Sequence, residues 1–362
     1  PAKSAGVFTT NLVKGHSLIL TMENIKNDTT KAILINSGNA NACIGSKGDE
    51  DTKRIANSVA KTIGCNPLEV LLGSTGVIGV PLDVDKIEEG IKYAYNNLSV
   101  TGGHTASEAI LTTDTTTKEY CVEIEINDKK IKIGGMVKGS GMLHPNMATM
   151  IGVLTTDANI SKEYLERALK KAIAHTFNRI SVDGDTSVCD MVLIMSSGMA
   201  GNDEISEYDE CFEQFTSSLE TVCLELSKML VKDGEGATKL IEINVSGAVS
   251  SLDAYLAVLA IAKSPLVKTA IFGEDANWGR IITAIGYSGA SFDLAKVDIT
   301  IGDLVVCKNG KGIGFDEATA KQILSNKEII INVEFNQGNY SDKMWTCDFS
   351  YDYVKINGSY RS

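Results

Sequence analysis

The amino-acid sequence predicts an α+β fold in which stacked β-sheets are covered by helices. Short stretches that alternate apolar and polar residues indicate strands, and apolar stripes at helical spacing indicate helices. These elements do not alternate regularly along the chain, so the pattern does not favour a parallel Rossmann sheet. A chain of 362 residues with 43% hydrophobic content exceeds one typical domain and can fill a sizeable core.

Six alternating stretches predict strands at 122–126, 130–133, 241–245, 297–301, 329–335 and 349–353. The first two flank Asn127 and Asp128, which indicates a β-hairpin. The apolar run 150–154 is compatible with a further, buried strand.

Three apolar stripes at helical spacing predict helices that bury one face in the core. Their apolar positions are Ile55, Val59 and Ile63; Leu165, Leu169 and Ile173; and Phe212, Phe215, Leu219, Val222, Leu226 and Met229. Gly64 ends the first helix, Ser161 is a candidate N-cap for the second, and the third stops before Gly234.

Charge and hydropathy exclude several classes of protein. The net charge of −12 at pH 7 argues against a nucleic-acid partner, whose phosphates require clustered Lys and Arg. The longest strongly apolar run, 254–262, is too short to cross a bilayer, so we expect no membrane partner. No charged and then apolar leader opens the chain, which indicates no secretory signal.

The spacing of cysteine and histidine favours no metal site. None of the eight cysteines forms a Cys-x-x-Cys pair and the four histidines lie far apart, whereas a zinc site needs closely spaced ligands. We therefore expect buried thiols in a reducing cytosol. Asp157, Asp183, Asp185 and Asp275 lie in loops rich in Gly or Thr that do not match a calcium-binding loop, and Asx-turns are the simpler interpretation.

The segment KGSGMLHPNMATM, residues 138–150, places Ala148 directly before Thr149. A threonine hydroxyl needs a base to become a nucleophile. If the Ala148–Thr149 bond were cut, the new α-amine would supply that base, since such an amine titrates near pH 8. The alternative from the residues alone is a Gly-rich turn before a buried strand. His144 is a weaker candidate base, because Pro145 indicates that the two residues shape a loop.

The segment GSTGVIG, residues 73–79, is a candidate oxyanion site. A glycine lets a backbone N–H approach a ligand closely, and a neighbouring threonine hydroxyl can donate a second hydrogen bond. The glycine spacing matches neither the Rossmann fingerprint nor a phosphate-binding loop. An ordinary tight turn is the alternative interpretation.

Motifs along essentially the whole chain resemble the ornithine acetyltransferase family, also called glutamate N-acetyltransferase. The segment GSGMLHPNMATMIGVLTTDA at 139–158 is similar to the family's self-cleavage segment. Further matches, in order, are VFTTN at 7–11, NSGNANAC at 36–43, GSTGVIG at 73–79, TTDT at 112–115, SVDGDTS at 181–187, KDGEGATK at 232–239, GEDANWGR at 273–280 and YDYVKIN at 351–357.

The resemblance implies a fold and an organisation. The family has an N-terminal-nucleophile-like αββα sandwich with a smaller appended α/β region. Cleavage would divide the chain into fragments 1–148 and 149–362, which share one core and assemble as two of each. The family carries further residues before Pro1, so we expect an incomplete amino end, and we expect a cytoplasmic enzyme.

The resemblance also implies an acyltransferase that moves acetyl from N-acetylornithine to glutamate in arginine biosynthesis, through an acetyl-Thr149 intermediate. Thr75 and Gly76 match the oxyanion pair, and no cofactor or metal is required. Acetyl-CoA is left open as a further acetyl donor. The substrate-binding positions are Thr112, Lys138, Thr149, Glu235, Asn357 and Ser362.

We expect Lys138 to hold a substrate carboxylate and Glu235 to meet an ammonium group. The chain departs from the family pattern at Thr116-Thr117, at Val188-Cys189 and at Ser362, which replaces a threonine. These departures leave substrate preference open, not the class of reaction.

Two other functions stay open. An amidohydrolase or aminopeptidase of similar fold would resolve the acyl-enzyme with water, so glutamate would not change the release of acetate. An uncleaved, inactive relative would bind amino acids or a partner, and would stay a single band on a denaturing gel.

Overall fold

The computed structural model describes residues 1–144 and 150–359. The chain forms two compact units. The larger unit comprises Pro1–Asn178 and Asp185–Leu230, and the smaller unit comprises Arg179–Gly184 and the chain from Val231 onward.

The described residues form strands, helices and short single turns of 3-10 helix. The strands are β1 (Lys3–Phe8), β2 (Ala32–Asn39), β3 (Val70–Val77), β4 (Lys118–Ile126), β5 (Lys129–Lys138), β6 (Ile151–Thr156), β7 (Ile180–Ser181), β8 (Met191–Ser196), β9 (Leu240–Ala248), β10 (Asp298–Ile301), β11 (Leu304–Lys308), β12 (Lys311–Gly312), β13 (Glu328–Glu334) and β14 (Tyr340–Cys347). The helices are α1 (His16–Asn24), α2 (Ser46–Ile63), α3 (Val84–Asn96), α4 (Gly103–Ala109), α5 (Lys162–His175), α6 (Glu210–Lys232), α7 (Ser251–Lys263), α8 (Pro265–Phe272), α9 (Trp278–Gly286), α10 (Glu317–Leu324) and α11 (Tyr351–Gly358). The 3-10 turns are Pro67–Glu69, Phe177–Arg179 and Leu294–Lys296.

The larger unit contains a five-stranded sheet in the order β1-β8-β6-β5-β4, in which only β6 and β8 are parallel neighbours. The predicted hairpin is confirmed: β4 and β5 are joined at Asn127 and Asp128, whose φ angles of 48° and 58° suit a two-residue turn. Lys138, the last residue of β5, pairs with Ile151, the first of β6. The segment between these residues therefore begins and ends at the same end of the sheet.

A parallel pair of strands, β2 and β3, packs face to face on the five-stranded sheet. Strands of both layers, together with α1, contribute to one buried apolar cluster that includes Leu18, Leu71, Ile151, Met191 and Leu193. Successive side chains of a strand point to opposite faces, so Val70 and Leu72 face away from this cluster. They pack instead against α2 and α3.

Helices also cover the other face of the five-stranded sheet. On β8, Val192 and Ile194 point away from the inward-facing Leu193, and both are fully buried. Helix α5 contacts β1 and β8, and α6 contacts α5 through the rings of Tyr164 and Phe212. The layers are therefore helix, sheet, sheet and helix, which confirms the predicted αββα sandwich.

The smaller unit is built on a seven-stranded sheet in the order β12-β11-β10-β13-β9-β14-β7. The pairs β13–β9 and β14–β7 are parallel, and the other neighbours are antiparallel. Its core combines alternate residues of β9, β10 and β13 with the apolar faces of α7, α9 and α10. This is the smaller α/β region that the resemblance predicts.

The strands and helices that the sequence predicted are confirmed, with one exception. Ser161 caps α5, with its Oγ accepting the N–H of Tyr164, and Gly64 ends α2 in the left-handed conformation. The strand predicted at 349–353 is wrong: β14 ends at Cys347, and Tyr351 begins a helix. The Ser350 hydroxyl caps this helix by accepting the N–H of Asp352, so capping outweighs the alternating pattern.

In the part of the chain that the structure describes, no single helix is long and apolar enough to cross a bilayer. Helices α7 and α8, bent by 56° at the break between them, qualify only as a pair and only by length and composition.

Candidate active site

A buried cluster of charged side chains lies at the end of β5. The Asp114 carboxylate accepts a hydrogen bond from Lys118 Nζ at 2.8 Å and lies 3.5 Å from Lys138 Nζ. Asp114 and Lys118 are fully buried, and the Lys138 side chain is only 4% exposed. One carboxylate thus holds two ammonium groups beside the Gly-rich segment that follows Lys138.

The neighbouring lysines keep Asp114 ionised. Burial alone would raise the pKa of this carboxyl, but the charges of Lys138 and Lys118, with hydrogen bonds from Lys118 and the Gly139 N–H, outweigh it. The pKa of Asp114 therefore lies below its ordinary value.

The loop before β4 is joined to the first residues of the Gly-rich segment by further hydrogen bonds. Lys138 Nζ donates to Thr112 Oγ1 at 2.8 Å, and the Gly139 N–H donates to Asp114 at 2.6 Å. The hydroxyls of Thr113 and Ser140 are 2.7 Å apart. Predicted substrate residues Thr112 and Lys138 therefore lie together, and Asp114 holds both ends of the contact.

A second buried carboxyl, Asp190, lies at the far end of the segment. Its Oδ1 accepts the Met150 N–H at 3.0 Å, and the Met150 carbonyl accepts the Met191 N–H at 3.1 Å. Asp190 is fully buried, and its Oδ2 has no hydrogen-bond partner among the described residues. Burial raises the pKa of Asp190 well above its ordinary value, and Met150, Ser187 and Lys138 offset this only in part. The site therefore favours the neutral acid.

The candidate oxyanion residues lie in β3, not in a tight turn. A Cβ on Gly76 would lie 2.3 Å from the Gly38 carbonyl of β2, and φ at Gly76 is 125°, so this position requires glycine. Thr75 is only 4% exposed, and its hydroxyl has no hydrogen-bond partner in residues 1–144 and 150–359. That hydroxyl can therefore donate to a bound group.

Packing of the two β-layers brings β3 close to the start of β6. A Cβ on Gly73 would lie 2.3 Å from the Met191 side chain and 3.4 Å from that of Ile151. Side chains two residues apart share one face of a strand, so Thr75 faces the same layer about 7 Å further along β3. The candidate oxyanion donor is thus on the side of β3 that faces the end of the Gly-rich segment.

Two other predicted substrate residues lie together in the smaller unit. Asn357 Nδ2 donates to Glu235 Oε2 at 2.8 Å, and Glu235 is 7% exposed. Asp348 fixes the chain that follows Glu235 by accepting the N–H groups of Thr238 and Lys239 at 2.8 and 2.9 Å. The Glu235 carboxylate is therefore buried and hydrogen-bonded to Asn357, and is not an exposed surface group.

The remaining predicted positions, Ala148, Thr149 and Ser362, lie outside the described residues. His144 is buried.

Two carboxyls were missed by sequence reasoning. Asp114 stands inside the TTDT motif at 112–115, and Asp190 stands directly before a fully apolar strand. An aspartate directly beside a buried strand indicates a buried carboxyl, and a buried carboxyl needs hydrogen-bond or ion-pair partners. Lys118 is only four residues from Asp114, but Gly139 and Met150 lie 25 and 40 residues from the carboxyls that they contact, and those contacts could not be read from the chain.

The thiol next to Asp190 is held protonated, and possible metal ligands are dispersed in the part of the chain that the structure describes. Within residues 1–144 and 150–359, no group of three or more His, Cys, Asp or Glu side chains could hold a metal ion. Burial raises the pKa of Cys189 to about 12, so its thiol is not an alternative nucleophile. Val188 and Cys189 pack with Ala40 and Ala42, so this departure from the family pattern fills a small apolar cluster.

Fold and site together define a class: an αββα enzyme with buried polar groups at the two ends of a Gly-rich segment that connects two neighbouring strands. A model described as the ArgJ family matches residues 1–362. The chain belongs to the ArgJ family.

Individual relatives agree with this assignment. The chain is 51% identical to "Arginine biosynthesis bifunctional protein ArgJ" of Caldanaerobacter subterraneus subsp. tengcongensis, covering 100% of this chain and 91% of that protein. It is 49% identical to "Arginine biosynthesis bifunctional protein ArgJ 1" of Clostridium acetobutylicum, covering 100% and 90%. The crystal structure of the Bacillus halodurans ArgJ protein superposes with a TM-score of 0.55 at 45% identity, covering 58% of this chain and 98% of that one. The predicted family and the predicted enzyme class, an acyltransferase of arginine biosynthesis, are confirmed.

Proposed function

We propose that this enzyme transfers acetyl from N-acetylornithine to glutamate through an acetyl-Thr149 ester, after cutting its own backbone between Ala148 and Thr149. The observation that carries the proposal is the family match over residues 1–362, which includes the whole segment around this bond. The described geometry supports it, because buried polar groups hold the chain on both sides of the segment.

Self-cleavage begins when Thr149 Oγ attacks the Ala148 carbonyl, which moves the acyl group from nitrogen to oxygen and frees the Thr149 amine. Water then hydrolyses the ester and leaves a carboxylate on Ala148. Strands β1, β4 and β5 precede this bond and β6 and β8 follow it, yet all five belong to one sheet. This interleaving supports the prediction that fragments 1–148 and 149–362 stay together through a shared core.

In the transfer reaction the Thr149 amine takes the proton of Oγ, which attacks the acetyl carbonyl of N-acetylornithine. Thr75 hydroxyl and Gly76 N–H stabilise the oxyanion. Collapse breaks the C–N bond, and the leaving ornithine nitrogen takes the proton from the Thr149 ammonium. The glutamate amine then attacks the ester and Thr149 Oγ regains its proton, so the kinetics are ping-pong.

Charged and polar side chains orient the two amino acids. Lys138, beside Thr112 and held by Asp114, binds a substrate carboxylate. Glu235, held by Asn357, meets the side-chain ammonium of ornithine. Ser362 completes the set by resemblance to the family.

The wider setting is also a proposal. The enzyme works in the cytoplasm, which agrees with eight cysteines that are all free. It assembles as two of each fragment and binds neither nucleic acid nor membrane. No cofactor is required, and acetyl-CoA is a second acetyl donor to be tested directly.

Self-cleavage is tested by a denaturing gel with mass spectrometry of the fragment termini. The wild-type chain should give two fragments, the second beginning at Thr149. Thr149→Ala should stay uncut and inactive, because it lacks the hydroxyl that cuts and transfers, whereas the matched Thr149→Ser variant keeps a hydroxyl and should still cut. A wild-type chain that stays whole after long incubation would support the inactive relative.

The acceptor is tested by supplying N-acetylornithine with and without glutamate. Transfer predicts that glutamate is acetylated and that acetate release falls. Acetate release that glutamate leaves unchanged would support the hydrolase.

The oxyanion pair is tested by Thr75→Val, which keeps the shape of the side chain and removes the donor. We expect kcat to fall about 10²- to 10³-fold. Thr75→Ser is the matched control and should retain most activity. Equal losses in both variants would show that Thr75 acts through packing.

A further inference from the structure

We propose that Ser17 and Ser74 are positioning residues for the oxyanion pair, because their buried hydroxyls fix β3 directly before its two donors. The inference rests on the proposed function and deepens it, since it assigns the groups that hold the Thr75 hydroxyl and the Gly76 N–H in place.

Strand β3 belongs to a sheet of two strands in the described chain, so one of its edges pairs with β2 and the other is open. The backbone N–H and C=O of one residue point to the same edge of a strand, and those of the next residue point to the other edge. The carbonyls of Glu69 and Val77 accept hydrogen bonds from the chain at the two ends of β2, so the odd-numbered residues face β2. The Gly76 N–H therefore points to the open edge.

Helix α1 covers the first part of this open edge with polar side chains. Asn24 Nδ2 donates to the Val70 carbonyl at 2.8 Å, and Thr21 Oγ1 accepts the Leu72 N–H at 2.7 Å. Ser17 lies one turn further along the same face of the helix and meets β3 two residues later. Because α1 begins one residue before Ser17, the helix covers no more of this edge.

The contact at Ser17 joins two buried hydroxyls. Its Oγ lies 2.7 Å from Ser74 Oγ, and both residues are at most 4% exposed. Ser74 Oγ donates to Asn36 Oδ1 at 2.6 Å, so the Ser17 hydroxyl must donate to Ser74. The Ser17 oxygen in turn accepts from Asn41 Nδ2 at 3.2 Å. Each hydroxyl therefore both donates and accepts, which fixes its orientation.

The position of Ser74 determines where the two donors lie. Ser74 is bonded to Thr75, whose side chain points to the opposite face of β3, and Gly76 follows directly. A shift of the strand at Ser74 would therefore move both donors together. Oxyanion donors act on charge that develops in the transition state, so misplacing them lowers kcat and changes KM little.

The test is steady-state transfer from N-acetylornithine to glutamate by Ser17→Ala and Ser74→Ala, with rates referred to the amount of cut enzyme. In each variant kcat should fall about tenfold, and KM for N-acetylornithine should change by less than about twofold. Ser4→Ala is the matched control, because Ser4 of β1 and Thr30 form another buried hydroxyl pair, 2.6 Å apart. Thr30 precedes β2, at the far end of this sheet from Gly76, so kcat and KM of the control should equal those of the wild type.

A double-mutant cycle separates positioning from packing. If Ser17 acts through the oxyanion pair, adding Ser17→Ala to Thr75→Val should lower kcat only about threefold or less, because one of the two donors is already lost. The full loss in this background, an unchanged kcat in the single variants, or an equal loss in Ser4→Ala would overturn the inference. A wild-type enzyme that forms no acetyl-Thr149 would instead defeat the proposed function.

Should the alanine variants fail to fold or cut, Ser17→Cys decides, because its thiol fills the same space but is a weak donor. We expect kcat to fall at least about threefold with KM unchanged. A kcat equal to that of the wild type would overturn the inference. Failure of this variant to fold would also overturn it, since the hydroxyl pair would then be required for the fold itself.

Discussion

Asp114 and Asp190 are two buried carboxyls at opposite ends of one short segment, and each accepts a backbone N–H there. Lys118 and Lys138 hold the pKa of Asp114 below its ordinary value, whereas burial without a close cation raises that of Asp190. The same side chain is therefore favoured as an ion at the start of the segment and as a neutral acid at its end. A carboxyl does not need a charge to accept a backbone N–H. The charge state of each aspartate can therefore serve a second role.

The largest difference should appear when each carboxyl is removed. Asp114→Ala leaves two buried lysines without their shared carboxylate, and we expect the free energy of unfolding to fall by about 3–5 kcal/mol. Urea denaturation measures the loss. In an uncut Thr149→Ala background, adding Asp190→Asn should change stability by less than about 1 kcal/mol, since it replaces a neutral acid by a neutral amide. Equal losses would contradict the assigned charge states.

Truncating Asp190 separates its role as an anchor from its charge. Asp190→Ala leaves the buried Met150 N–H without an acceptor, which should cost about 1–3 kcal/mol in urea denaturation. Asp190→Asn should restore that stability, because its amide oxygen accepts the same N–H. Failure of asparagine to restore it would show that size or charge, not the hydrogen bond, matters at this position.

The pH dependence of stability should have opposite signs at the two sites. The raised pKa of Asp190 means that the folded chain keeps a proton which the unfolded chain releases above about pH 3.9. Stability should therefore fall as pH rises from there through the folded pKa, with a slope of up to about 1.4 kcal/mol per pH unit. The lowered pKa of Asp114 stabilises the fold above pH 3.9, and that stability is lost as pH falls through its folded pKa.

The slope of stability against pH is best measured on uncut protein, because cleavage has not yet created the Thr149 amine there. In a Thr149→Ala background, adding Asp190→Asn should flatten the fall in stability above about pH 3.9. A slope that persists in the double variant would assign the effect to another group.

The smallest expected effect concerns the contact beside Asp114. Thr113→Val removes the hydroxyl that meets Ser140 and should lower stability by about 0.5–1.5 kcal/mol. Urea denaturation again measures it, and Ser140→Ala is the reciprocal control. A loss as large as that of Asp114→Ala would show that hydroxyls, not the ion pairs, hold this end of the segment.

Local signals predicted the fold where short-range chemistry decides it. Asn127 and Asp128 tolerate positive φ, and the strands on either side alternate, so their hairpin could be read directly. The alternating residues 349–353 misled because Ser350 caps a helix there, and a cap depends on where the preceding strand stops. The αββα layering came from resemblance, since nothing local shows which sheets face each other.

The site was predictable only in its chemistry. A threonine after a small residue and a Gly-flanked threonine in 73–79 were candidates from the residues themselves, whereas Lys138 and Glu235 came from the resemblance to the family. The role of Asp190 could not, because its partner Met150 is 40 residues away. The pKa of each carboxyl depends on its burial and on neighbouring charges, and only the folded chain defines these.

The central claim is that Thr149 becomes an amino terminus and then carries the acetyl group. Its most direct test is peptide mass spectrometry of wild-type enzyme incubated with N-acetylornithine labelled in the acetyl group, without glutamate. The account predicts label on the peptide that begins with Thr149, and loss of that label when glutamate is added. Label on another residue, or an uncut chain that still turns over substrate, would contradict it.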